Sequence, residues 1–387
     1  MVKDYEMPND IRSWGVYVPE EAIERVAEVL KSGWINTGKH EKELRDLFRK
    51  KFLVAHCVAV NNGTAALRAS YQMLGIGHGD EVVTTPYTFI ATNTSLLEQG
   101  AIPVFADIRY GDLNVTAETI EEKLTSKTKA IVIVHYAGNP VDLDEIRALA
   151  DSYNVPLIED SAHAMGSKYK DSYIGQTGDL VTFSLQAVKI VTSGDGGIIA
   201  TGREDYYERL QEISWYGVNR DKKQTNLFLD SLPDDISVLG YKYNMNDITA
   251  TIAISALDHF DIPLQKRKSI AETYRRELKD LKTIKLLEYY RDRTPNYQIF
   301  PIHVEGRERF ARYMWDKKIQ VGVNNRRNDK YSIFGRSKSG QMTPVLRDLP
   351  NLRLADEDTI LLPIHFDIDN DTLDYIVDSV IQYDKLK

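Results

Sequence analysis

The sequence predicts an α/β protein, with a large domain on a mostly parallel central sheet flanked by helices and a smaller α+β domain after it. Three observations predict this. From about residue 56 to residue 159, short β-branched runs alternate with amphipathic helical stretches, the rhythm of strand–helix units that build parallel sheets. The run Ala130-Ile131-Val132-Ile133-Val134 is apolar throughout, as fits a strand covered on both faces. The chain has 387 residues, more than one small core serves, and the alternation changes after Asp179. The division expected is a large domain over 1–255 and a small C-terminal domain over 256–387.

The elements follow in order. Pro19 suits a first helical turn, Ile23, Val26 and Leu30 make an apolar stripe, and Gly33 closes the helix 19–32. A second helix spans 41–52. Strands are expected at 56–60, 81–85, 102–108, 129–135 and 155–159, with helices at 65–74, 92–99, 116–124 and 142–153. Residues 180–185 and 196–201 read as strands joined by a short polar loop, and 203–216 as a helix. The stretch 219–238 is polar and reads as a loop. Residues 246–274 read as one long helix or two, broken near Pro263. In the C-terminal part the strands expected are 297–303 and 319–323, and a helix over 371–383 ends the fold. No internal repeat or low-complexity tract is seen.

Composition narrows the function. Forty-nine basic residues against 57 acidic give a net charge of −8, a poor basis for nucleic-acid binding, which depends on neutralising phosphates. The single cysteine, Cys57, excludes an intramolecular disulfide and a thiolate metal cluster, and no metal site is expected. No apolar run reaches the ~20 residues that span a bilayer, and the N-terminal residues do not read as a signal segment. A cytoplasmic protein, off the membrane, is expected.

Four stretches carry candidate chemistry. Lys189 follows the strand Leu180–Leu185 and precedes the turn Gly194-Asp195-Gly196-Gly197. Desolvation there lowers a lysine pKa, and a neutral amine forms Schiff bases. Taken alone, such a lysine is more often a solvated surface charge. In Glu159-Asp160-Ser161-Ala162-His163, an acid sits at the carboxyl end of a buried strand, where α/β folds place ligands. It suits the nitrogen of a protonated pyridine, or a helix N-cap. Asn61-Asn62-Gly63-Thr64-Ala65 is a glycine turn opening a helix, a phosphate-binding arrangement that often binds nothing. Phe89, in Thr85-Pro86-Tyr87-Thr88-Phe89, can stack on a planar ring or belong to the core.

Together the four resemble the DegT/DnrJ/EryC1/StrS family of nucleotide-sugar aminotransferases, of the aspartate-aminotransferase-like fold type I. The resemblance covers nearly the whole chain, from Trp34-Ile35-Asn36-Thr37-Gly38 onward, and is most specific in Ser184 five residues before Lys189. It implies pyridoxal 5'-phosphate as cofactor, held by Lys189 as a Schiff base. It further implies that Asp160 pairs with the ring nitrogen, His163 lies near the 3-hydroxyl and Phe89 stacks on the ring. Gly63, Thr64, Ala65 and Ser184 would hold the phosphate. A residue of a partner subunit would reach the same phosphate, Asn244 by preference with Lys242 as the alternative, so the resemblance implies a homodimer with shared sites.

The sequence departs from the family in three places. Asp195 stands where glutamate is commoner, and Lys39 where proline commonly follows Gly38, beside the sugar site. The segment Val323–Tyr331 replaces a His-Tyr-Pro-like one; its arginines, Arg326 and Arg327, can meet a diphosphate, and Tyr331 closes the segment. Lys39, Arg326 and Tyr331 are the candidate substrate residues. The resemblance implies amino transfer from L-glutamate to a keto group of a nucleotide-linked deoxysugar, at C-4 rather than C-3, the commoner position among relatives. The alternatives are a sugar dehydratase of this fold, which typically replaces the lysine by histidine, a non-catalytic regulatory or binding protein, and a cyclitol substrate.

Overall fold

The computed structural model describes residues 11–219, 235–323, 325–335 and 348–386. The chain opens with α1 (Glu21–Ser32) and α2 (Lys39–Phe52), then alternates through β1 (His56–Val60), α3 (Gly63–Met73), β2 (Glu81–Thr84), α4 (Ile90–Glu98), β3 (Ile102–Phe105), α5 (Ala117–Glu121), β4 (Thr128–Val134), α6 (Leu143–Ser152) and β5 (Leu157–Asp160). Two short strands, β6 (Lys168–Tyr169) and β7 (Ser172–Tyr173), precede β8 (Leu180–Ser184), β9 (Gly197–Thr201) and α7 (Glu204–Ser214). The rest holds α8 (Asp247–Asp258), α9 (Asp261–Leu278), β10 (Ile284–Leu286), β11 (Arg293–Thr294), β12 (Phe300–Val304), α10 (Arg307–Asp316), α11 (Pro350–Asp358), β13 (Thr359–Leu362) and α12 (Asn370–Lys385).

Seven strands form the main sheet in the order β1-β9-β8-β5-β4-β2-β3. The pairs from β8 to β3 are parallel. β9 pairs antiparallel with both β8 and β1, so β9 alone runs against the rest. The sheet is covered on both faces, and the period of two along β4 does the sorting. Ile131 and Ile133 enter one core with Leu44, Phe48 and Phe52 of α2. Ala130 and Val132 enter the other with Ala65 and Ala66 of α3 and Leu210 of α7. This is why the run is apolar without alternation.

The C-terminal residues build a three-stranded antiparallel sheet, β10-β12-β13, packed with α9, α10 and α12 around Ile302, Phe310 and Val380. The expected strand over 319–323 is corrected: Ile319 and Gly322 make only isolated bridges, to Ile11 and Leu361. The place beside β12 belongs instead to Thr359–Leu362 and Ile284–Leu286, whose short runs give no periodic signal. The break in 246–274 falls at His259 and Phe260, ahead of Pro263. Pro263 sits in the first turn of α9, where a missing N–H costs nothing. The expected loop 219–238 lies largely outside the described residues, and what is described of it, 219 and 235–238, is neither helix nor strand.

Candidate active site

The carboxyl ends of the parallel strands converge on one cavity of about 420 Å³, the position at which open α/β sheets place ligands. Lys189, Asp160, His163, Gly63, Thr64, Phe89 and Ser184 all line it, although 126 positions separate the first and last of them in the sequence. The sheet order explains this: β5 and β8 are neighbours, and β1 reaches β8 through β9.

Lys189 is half-buried on the loop between β8 and β9. That loop is closed by Leu185 and Gly196, whose backbones meet at 2.8 Å, and by the Lys189 amide, which donates to the Gln186 carbonyl at 2.9 Å. Gly197 is required by close approach, since a Cβ there would lie 2.6 Å from the Asn62 carbonyl oxygen. Burial pushes the Lys189 amine down to about 8, against the opposing pull of Asp160, and Arg267 pushes it in the same direction. A substantial neutral fraction therefore exists near neutrality, as a nucleophilic amine needs.

Asp160 ends β5 and is 5 % exposed. Its Oδ2 accepts from Thr92 Oγ1 at 2.7 Å and its Oδ1 from the Ala162 amide at 3.2 Å. Burial raises its pKa despite both donors and Lys189. Among the described residues no side-chain cation lies within salt-bridge reach of this carboxylate. His163 is kept neutral by burial, with Lys189 and Arg267 adding to the effect, and its Nδ1 is buried without a partner.

These loose ends fit pyridoxal phosphate. A protonated pyridine nitrogen would supply a cation to Asp160, and the orphaned His163 nitrogen can meet a ring substituent. Phe89, the N-cap of α4, is 63 % exposed on the cavity wall and offers an uncovered aromatic face. At the start of α3, Asn62 caps the helix by accepting from the Ala65 amide at 2.7 Å. The Ala65 amide is thus engaged by the cap, and the first-turn amides of Gly63 and Thr64 remain for an anion beside the Ser184 hydroxyl.

The other candidates lie elsewhere. Asn244 lines a second cavity of about 230 Å³ with Thr37, Gly38 and Trp215, and its Nδ2 donates to Thr37 Oγ1. Lys242 bridges to Trp215 through its backbone. Lys39 is exposed at the start of α2 and does not line the lysine cavity. Of the two arginines, Arg327 is corrected as a phosphate ligand: it is buried and bound by both carboxylate oxygens of Asp329 at 2.7 Å. Arg326 is exposed, with its guanidinium carbon 5.5 Å from the centre of the Tyr331 ring. Sequence reasoning missed Thr92, Gln186 and Asn325, which line the cavity. Thr92 sits one helical turn after Thr88, but nothing in that spacing points to a carboxylate in another strand.

Comparison with known proteins agrees with this geometry. Residues 17–381 match the model of the DegT/DnrJ/EryC1/StrS aminotransferase family. An uncharacterized protein of Methanocaldococcus jannaschii is 33 % identical over 372 residues, covering 94 % of this chain and 95 % of its own. The crystal structure of the sugar aminotransferase CalS13 from Micromonospora echinospora superposes with a TM-score of 0.89 at 29 % identity, over 96 % of this chain and 99 % of that one. The putative sugar aminotransferase Spr1654 of Streptococcus pneumoniae, in its PMP form, gives 0.88 at 26 % identity over 97 % and 100 %. The same protein has also been solved in a PLP form. The chain belongs to the DegT/DnrJ/EryC1/StrS aminotransferase family and is a pyridoxal-phosphate-dependent aminotransferase.

Proposed function

We propose that the protein transfers an amino group from L-glutamate to a keto carbon, at C-4 rather than C-3, of a nucleotide-linked deoxysugar. It would serve amino-sugar and surface-polysaccharide biosynthesis as a cytoplasmic homodimer. The observation that carries the reading is the meeting in one cavity of a low-pKa lysine and a buried carboxylate that has no side-chain cation in salt-bridge reach among the described residues. The sugar acceptor is supported by the names of the solved neighbours, several of which are sugar aminotransferases.

When bound, pyridoxal phosphate supplies an electron sink for the donor's α-carbon. Lys189 Nζ would hold the cofactor and, once freed by the donor's amino group, would carry the α-proton in the first half-reaction and return it in the second, a ping-pong sequence. Asp160 would keep the ring nitrogen protonated, His163 would meet the ring's edge and Phe89 would cover its face. Gly63, Thr64 and Ser184 would hold the phosphate. Lys39, Arg326 and Tyr331 are assigned to the substrate.

The dimer is supported by exposed apolar side chains around the first two helices. α1 buries Ala22 and Val29, yet Ile23 and Leu30 are 71 % and 55 % exposed, as are Trp34 at 60 % and Ile35 at 50 %. Large apolar side chains exposed this close together in the chain fit an association surface. The separation of Asn244 from its own chain's lysine cavity supports its delivery to a partner's. We further propose that residues 1–255 and 256–387 are the two domains.

The test is the visible spectrum of the protein with pyridoxal phosphate, before and after L-glutamate. Loss of the lysine-bound band on adding glutamate supports the aminotransferase and opens a screen of 4-keto and 3-keto nucleotide sugars. A band that persists with glutamate rejects that donor.

A further inference from the structure

We propose that Arg267 and Gln298 are positioning residues for Lys189: through the Gln298 backbone and side chain they tie its loop to the C-terminal part of the chain, and the Arg267 guanidinium, with no carboxylate in salt-bridge reach among the described residues, adds its charge to that support. The proposal rests on reading Lys189 as the reactive amine.

Arg267 lies on α9 and is 5 % exposed. A guanidinium buried this far normally faces a carboxylate. Here, among the described residues, none lies within salt-bridge reach. One nitrogen, Nη1, instead donates to three carbonyls: Gln298 and Ile364 at 2.8 Å and Tyr297 at 3.5 Å. Its Nε is buried without a partner. The clasp shapes the backbone it holds, for Tyr297 has φ 54°, a left-handed conformation rare outside glycine.

The link to the site is direct. Gln298 Nε2 donates to the Val188 carbonyl at 2.9 Å, and Val188 is joined to Lys189. The same turn also holds the other side of the cavity. Asn296 accepts from the Gln298 amide at 3.0 Å, and its Nδ2 donates to the Met165 carbonyl at 2.9 Å, just past His163. One turn, 296–298, therefore braces both the lysine loop and the loop after Asp160.

The charge has its own effect. Asp160 from β5, His163 after it and Asp195 at the end of the lysine loop share the cavity with Lys189, and Arg267 on α9, outside that lining, acts on the amine through its charge. Only Asp160 holds a proton on the amine, and His163 is neutral. Arg267 acts the other way, and on His163 and His365 as well. A hydrocarbon side chain would fill the same space; a cation also raises the neutral fraction of the amine.

The test uses the full-length, cofactor-free protein and cyanate, which carbamylates neutral amines. Labelling of Lys189 is followed by peptide mass spectrometry across pH. Wild type is expected to half-label at about 8. Arg267→Gln, which keeps donors for the carbonyls without the charge, should move that midpoint up by about one pH unit, roughly a tenfold smaller neutral fraction near pH 7. Arg267→Lys should restore the low midpoint. Gln298→Leu should leave the midpoint alone and raise the cofactor dissociation constant about tenfold. A folded Arg267→Gln protein that labels like wild type overturns the charge effect. Should that variant not fold, unchanged cofactor affinity in Gln298→Leu overturns the tether. Borohydride trapping of pyridoxal phosphate on a residue other than Lys189 sinks the reading of the site instead, while the cyanate titration judges the charge effect alone.

Discussion

Lys189 holds its amine below the usual lysine range, and linkage turns this into a stability statement. Its folded pKa, about 8, lies below the ordinary lysine value of 10.5 that the unfolded chain has. The unfolded chain therefore binds more protons between these values, so this residue makes stability rise with pH across that window. Below about 8 the penalty is fully present. Lys189→Met should stabilise the cofactor-free protein near pH 7 by roughly 2 kcal/mol, allowing for water in the cavity, and remove this rise; thermal melts at several pH values check it. The same variant should lose transamination by about 10³-fold or more. Asp160→Asn should behave alike for the same reason. The buried charge goes, Thr92 keeps an acceptor, and the melting temperature of the cofactor-free protein holds or rises while cofactor affinity falls. A large drop in that melting temperature would refute the view that Asp160 waits for a cation.

At the scale of elements, the cavity is made where α3 starts against the β8–β9 turn. A Cβ on Gly197 would meet the backbone of Asn62 and Gly63, atoms that cannot rotate away. Gly197→Ala should cost about 1–3 kcal/mol by overpacking and weaken cofactor binding, since the displaced backbone carries the Gly63 amide; denaturant melts and cofactor titration read the two effects. Most of the strands and helices were legible because their signals are local. β1, β4, β8 and β9 stand where the β-branched runs predict, and α3 follows its glycine turn. The 319–323 segment was not legible. Ile319 and Val321 pack into the small core beside isolated bridges, and burial alone does not distinguish a strand from a packed loop.

For the whole molecule, the proposed homodimer makes a prediction that no single subunit can satisfy. Lys189→Ala and Asn244→Ala proteins are each expected to be weakly active. Mixed one to one and allowed to exchange, half of the dimers are hybrids, and one site in each hybrid combines an intact Lys189 with an intact Asn244. About a quarter of wild-type activity should return. No recovery, with exchange confirmed by mass spectrometry, would rule out the shared site.

The sequence by itself singled out residues that share the cavity. Asp160, Gly63 and Phe89 sit at the end of a strand or the start of a helix and Lys189 on the loop after one, where spacing and residue type are enough to expose them. Tertiary structure alone decided which groups act on them. Thr92 on Asp160, Asn62 on the Ala65 amide, and Arg267 with Gln298 behind Lys189 are contacts across 3 to 110 positions. Asn62 belongs to a local cap pattern, but the others depend on which strands are neighbours and how the C-terminal sheet docks. The physical reason is range: helix and strand signals arise from neighbours along the chain, whereas a pKa is set by every charge and every layer of burial that folding brings near.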